Sequence, residues 1–162
     1  MICVIPFHPG DVTLAQEQLR WIEDLGGCQN HDCLLVADRA TQWSACVGML
    51  GQANKCFRKV DIAVPNVQFD FGWPQGANAM FKFAANHIDE NLAGHWLWLE
   101  PDATPLRRGW LDELETAYKA CGKRYMGCIY RSNNPAIPEP VLSGIAVYPD
   151  DCSATADEAT KG

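Results

Sequence analysis

At 162 residues the chain has the length of one ordinary domain, and 48% apolar residues against 20% charged ones mark it as globular. A formal charge of −7 excludes a general nucleic-acid binder, which needs a basic face to neutralise phosphates. It does not exclude a nucleotide, whose phosphates can be held by backbone N–H groups and a divalent cation.

The elements alternate from the first residue. Ile2 to Phe7 reads as a strand running into Pro6-Phe7-His8-Pro9-Gly10. Val12, Ala15, Leu19, Ile22 and Leu25 then recur at helical spacing, with Asp11 or Thr13 as the cap and Gly26-Gly27 as the stop. Cys33 to Ala37 is a second strand ending at Asp38, and Gln42 to Cys56 a weaker helix broken by Gly48 and Gly51. Val60 to Val64 is a third strand, stopped by Pro65, and Gln68 to Pro74 is irregular and aromatic. Gly76 opens a helix with Ala77, Met80, Phe81, Ala84 and Ile88 on one face. His95 to Leu99 is a fourth strand running into Glu100-Pro101-Asp102. Gly109 to Cys121 is a helix with Trp110, Leu111, Leu114, Ala117 and Tyr118 as its buried stripe. Arg124 to Tyr130 is a fifth strand, Pro135, Pro138 and Pro140 stiffen a loop, and Val141 to Tyr148 is a sixth strand containing Gly144.

This pattern predicts a single three-layer α/β/α domain, Rossmann-like, over 1–149 with a mainly parallel sheet. A polar, acidic, flexible tail follows over 150–162. No apolar run reaches the length of about 18 residues needed for a membrane span. The start of the chain lacks a basic region and a small-residue cleavage site, so the expected location is cytoplasmic. Eight cysteines form no CxxC pair; Cys3, Cys33 and Cys128 lie in strand-like runs, so free thiols are expected. Cys28, His31 and Cys33 come nearest to a zinc knuckle, but they lack a second half.

Ligands of such sheets bind at the carboxyl ends of the strands, where the strand order reverses. That rule selects the loops after Pro6, Asp38, Pro65 and Leu99. Glu100-Pro101-Asp102 is the most informative of them. In an extended segment its two acids point to one side, which suits a hard cation that keeps waters and bridges phosphate oxygens. The plain alternative pairs Glu100 with Arg107 or Arg108 and lets Asp102 and Thr104 begin a turn. Asp38 can accept hydrogen bonds from a ribose or base, or serve as a turn acid beside Arg39. His8 lies in the first loop. Asn78 sits near a helix start, where it could orient a phosphate or sugar beside free N–H groups. Phe69, Phe71 and Trp73 either close the bottom of the core or form a candidate stacking wall. Ser143 lacks a G-x-S-x-G elbow, and neither a Walker A loop nor GxGxxG occurs.

Trp98-Leu99-Glu100-Pro101-Asp102 resembles the DxD signature of GT-A glycosyltransferases, with Glu in the first acidic place. Val4-Ile5-Pro6-Phe7-His8 resembles the first strand and nucleotide loop of that family, and Leu35-Val36-Ala37-Asp38 its second strand. Gly76-Ala77-Asn78 with Ala84 resembles the helix before the signature, and Leu142 to Val147 the Gly-containing strand after it. The resemblance covers about residues 2–148. It implies a metal-dependent transferase using a sugar-nucleotide donor, with Mn²⁺ or Mg²⁺ on Asp102 and Glu100. The nucleotide sugar would lie against Pro6, Phe7, His8, Asp38, Asn78, Glu100 and Asp102. Family members continue beyond the Gly-containing strand, and that continuation supplies much of the acceptor site and often the base. Here the catalytic base and the acceptor are unassigned: either the chain is a minimal or truncated member, or a protein partner or oligomer completes the site. One rival is a non-catalytic GT-A-like binding or assembly module. The other is a nucleotidyltransferase, disfavoured because Pro6-Phe7-His8-Pro9-Gly10 carries no Lys or Arg.

Overall fold

The computed structural model describes residues 1–66, 75–130 and 141–153. In chain order these hold β1 (Ile2–Phe7), α1 (Val12–Asp24), β2 (Cys28–Ala37), α2 (Trp43–Cys56), β3 (Phe57–Ala63), α3 (Gln75–Asn91), β4 (Trp96–Trp98), α4 (Trp110–Cys121), β5 (Met126–Tyr130) and β6 (Val141–Tyr148). The strands form one sheet in the order β3-β2-β1-β4-β6-β5. β3, β2, β1 and β4 run parallel, while β6 is antiparallel to both β4 and β5.

β1 is buried along its whole length because both faces of the sheet are covered. Alternate side chains divide between two cores. Cys3, Ile5 and Phe7 pack with Leu19 and Ile22 of α1, Met49 of α2 and Leu111 of α4. Ile2 and Val4 pack on the other face with Met80, Ala84 and Ile88 of α3. There Phe81 meets Trp96, Trp98 and Tyr148 at ring-centroid distances of 5.3, 5.2 and 4.9 Å. The Trp96 indole N–H donates to the Pro149 carbonyl over 2.9 Å.

Several boundaries differ from expectation. β2 begins at Cys28, not Cys33, and β3 at Phe57, not Val60. Cys28 pairs with Phe57 before a register shift, so backbone pairing extends the strand through the exposed Gln29 and Asn30. Asp11 occupies the cap position of α1 without a side-chain cap bond. Gly27, at φ 71°, turns the chain out of α1; a Cβ there would stand 2.9 Å from the Cys56 carbonyl oxygen. At the far end Cys152 and Ser153 are buried, so packed chain extends past the expected boundary at 149. Residues 154–162 of the expected tail lie outside the described residues. No helix among the described residues is long and apolar enough to cross a membrane.

Candidate functional site

β1 is the pivot of the fold. From it the chain steps through α1 and α2 to β2 and β3 on one side, then crosses by α3 to β4 on the other. The strand order therefore reverses between β1 and β4, the place where ligands of such sheets bind at the carboxyl edge, although α1 and α4, which follow these two strands, pack on one face of the sheet. Phe7 lies level with Ala37, and Val4 with Trp98. His8, Asp38 and Glu100 thus leave three adjacent parallel strands at one edge. The first turn of α3, with an exposed Asn78, follows β3 at the same edge.

The acidic segment is a turn, not the extended stretch expected. β4 ends at Trp98, and the Ala103 N–H returns to the Glu100 carbonyl over 2.9 Å. A residue far away in sequence bonds both ends of this turn. The buried Gln18 of α1 donates through Nε2 to the Glu100 and Ala103 carbonyls at 2.6 and 2.7 Å. One helical turn on, the Trp21 indole donates to the Pro105 carbonyl over 2.7 Å. Asp102 is exposed, while Glu100 is half-buried against Gly144. Burial raises the Glu100 carboxyl above its ordinary pKa, and the Asp102 charge adds to this, against a hydrogen bond from Trp98. The alternative pairing with Arg107 is not adopted, since Arg107 bonds Glu113.

The other expected residues divide. Asp38 is buried and uses Oδ1 to accept the Ala40 N–H at 2.7 Å, a turn-forming bond; its neighbour Arg39 bonds the Asn66 carbonyl. His8 is exposed, but its ring closes on its own loop, accepting Gly10 N–H at Nδ1 over 2.9 Å and facing Asp11 at 3.2 Å. Pro6 and Phe7 are buried in β1, so they can shape a site only through the backbone. Phe69, Phe71 and Trp73, and the Ser143 side chain, lie outside the described residues. Among the described residues no three His, Cys, Asp or Glu side chains gather as a metal cage, and Asp38 does not join the Glu100–Asp102 pair. A small cavity lined by Ile2, Asp32, Cys33, Lys59, Asp61, Leu92 and Ala93 holds none of the expected residues. Gln18 and Trp21 were missed. The signal for Gln18 was a polar residue on the buried stripe between Ala15 and Ile22.

The sheet order, the switch beside β1 and the acidic turn after β4 define a GT-A-like glycosyltransferase fold. Among solved structures, the chain is similar to S. aureus TarS residues 1–349, with a TM-score of 0.62 at 10% identity over 96% of this chain and 48% of that one. TarS in complex with UDP-GlcNAc gives 0.62 at 9% identity over 96% and 47%. The mannosyltransferase PcManGT from Pyrobaculum calidifontis, in complex with GDP-Man and Mn²⁺, gives 0.54 at 16% identity over 80% and 35%. The chain thus spans about half the TarS structure and about a third of the mannosyltransferase. By sequence, no family model and no curated protein matches.

Proposed function

We propose that this chain binds a nucleoside-diphosphate sugar at the carboxyl edge of its sheet and serves glycosyl transfer. The observation that carries the reading is the acidic turn at the switch point, in a fold shared with structures that hold UDP-GlcNAc and GDP-Man. Glu100 and Asp102 fit a hard divalent cation. Two neighbouring carboxylates, one raised by burial and further by the charge of the other, gain from a positive ion that leaves positions for water and phosphate oxygens. Mn²⁺ or Mg²⁺ held there would offset the charge of the departing nucleoside diphosphate.

In this reading Asp102, exposed and unencumbered by burial, is the main ligand and Glu100 the second. The Oδ2 of Asp38, for which no bond to the described residues is seen, accepts from the nucleoside, and the His8 loop lines the opposite side of the crevice. Asn78 and the N–H groups opening α3 face the sugar phosphate. The unpaired thiols suit a reducing, cytoplasmic setting. A thermal-shift series with UDP-GlcNAc and GDP-mannose, each with and without Mn²⁺, tests the reading. A ligand present at about 100 times its Kd adds about 2.7 kcal/mol of stability. A rise that needs both nucleotide sugar and Mn²⁺ is expected. No shift with either sugar nucleotide would favour the non-catalytic binding module.

A further inference from the structure

Gln18 is more than nine-tenths buried on the apolar stripe of α1, between Ala15 and Ile22. Both of its partners are carbonyls, so only the amide nitrogen can face them and the orientation of the group is fixed. Its Oε1 is left buried without a partner. An unpaired buried acceptor is costly, and an apolar side chain would fill the stripe without it. What the glutamine gains is a hold on both ends of the Glu100–Ala103 turn. Trp21 extends the hold to Pro105, so one face of α1 grips three carbonyls of the segment that carries both acids.

We infer that Gln18 is a positioning residue whose buried amide sets the turn, and through the turn the direction in which Glu100 and Asp102 present their carboxylates. The inference rests on the proposed role of those carboxylates for its metal readout, and on the turn alone for the others. Released from Gln18, the Glu100 carbonyl retains the Ala103 N–H and the Glu100 carboxylate its hydrogen bond from Trp98, but the backbone that carries them is no longer fixed from α1. The pair then loses the spacing that favours a shared cation.

The test uses Gln18→Met, which keeps the volume and removes both donors, with Gln18→Glu as a second variant of the same shape. Three quantities are read: amide exchange at Ala103, the backbone chemical shifts of Glu100 and Asp102 by NMR, and Mn²⁺ affinity measured with the metal alone. Loss of the clamp is expected to speed Ala103 exchange about tenfold and weaken Mn²⁺ binding about tenfold, with β1 amides unchanged. The backbone chemical shifts of Glu100 and Asp102 are expected to move. Wild-type values for both Ala103 exchange and these shifts would overturn the inference. So would faster Ala103 exchange with unmoved shifts at Glu100 and Asp102, which would make Gln18 a purely structural bond. Absence of Mn²⁺ binding in the wild type would sink the functional reading instead, and the other two readouts would still decide the role of Gln18.

Discussion

The Glu100 carboxylate occupies the space a side chain would take at Gly144: a Cβ built there falls 2.5 Å from Oε1 and 3.2 Å from Cδ. The obstructing atoms are the far end of a flexible side chain, so Gly144→Ala is expected to push Glu100 aside at little cost in stability. The unfolding midpoint should stay near wild type while Mn²⁺-dependent nucleotide-sugar binding weakens. A variant with unchanged binding would show that Glu100 is free to stand elsewhere.

Asp102 carries the sharper prediction. It is exposed, and substitutions at such places usually change stability by no more than about 0.5 kcal/mol. Asp102→Asn keeps the shape and removes the charge. It should abolish the Mn²⁺-dependent part of sugar-nucleotide binding and leave the melting curve in place. Calorimetric titration with and without Mn²⁺ checks this, and a retained Mn²⁺ effect would remove Asp102 from the metal site.

At the opposite edge of the sheet, acidification should destabilise the fold. Burial lowers the pKa of His31 below its ordinary 6.5, and the Met1 ammonium beside it adds to this, against Asp112 and Glu115. His95 is lowered by the same first two causes, against Glu115 and with a further contribution from Lys119. A histidine held neutral in the fold takes up its proton on unfolding. Its contribution is therefore present above 6.5 and is lost as pH falls through the folded value. Glu115 acts further down. Burial raises its pKa, but bonds to the Met1 ammonium and Lys119 outweigh that and bring it to about 2, so its contribution fades as pH falls from 4.5 toward 2. Urea unfolding between pH 8 and about pH 5 should show falling stability below neutrality. His31→Gln should flatten that slope, and an equally steep profile would absolve His31.

The thiols can be counted. Cys121 and Cys128 are exposed, and Cys3, Cys28, Cys33, Cys46, Cys56 and Cys152 are buried. Burial pushes the Cys28 thiol up to about 12, and those of Cys56 and Cys152 to about 11, which keeps them as unreactive thiols. A thiol reagent should therefore label two residues quickly in the native protein and all eight after denaturation without reductant. A lower count in the denatured, unreduced protein would mean that bridges form.

What was legible followed apolar pattern. β1 and β6 run where their continuous apolar stretches indicate, Ile2–Phe7 and Val141–Tyr148. The shared edge of His8, Asp38 and Glu100 follows from parallel strands and needs no side-chain detail. The start of β2 was hidden because Cys28–Asp32 is largely polar and is held by ladder bonds to β3, which carry no side-chain signature. The acidic turn was hidden for another reason. It is bonded by Gln18, 82 residues before Glu100, and spacing rules see only neighbours. The local duties of Asp38 and His8 were equally invisible, since a turn acid and a ligand-binding acid have the same letter.

The two edges of the sheet differ in their tolerance of change. At the amino-terminal edge the connections are tight: α2 ends at Cys56 and β3 begins at Phe57 with no residue between, and Gly27 is wedged against the Cys56 carbonyl. At the carboxyl edge the chain leaves β1 at His8 and β2 at Asp38, and short turns carry it to α1 and α2. Doubling the length of a flexible loop costs only about 0.6 kcal/mol in closure entropy. Residues inserted between His8 and Asp11, or between Asp38 and Gln42, would therefore alter what stands at that edge while leaving the sheet as it is. The frame is fixed at one end and open to grafting at the other.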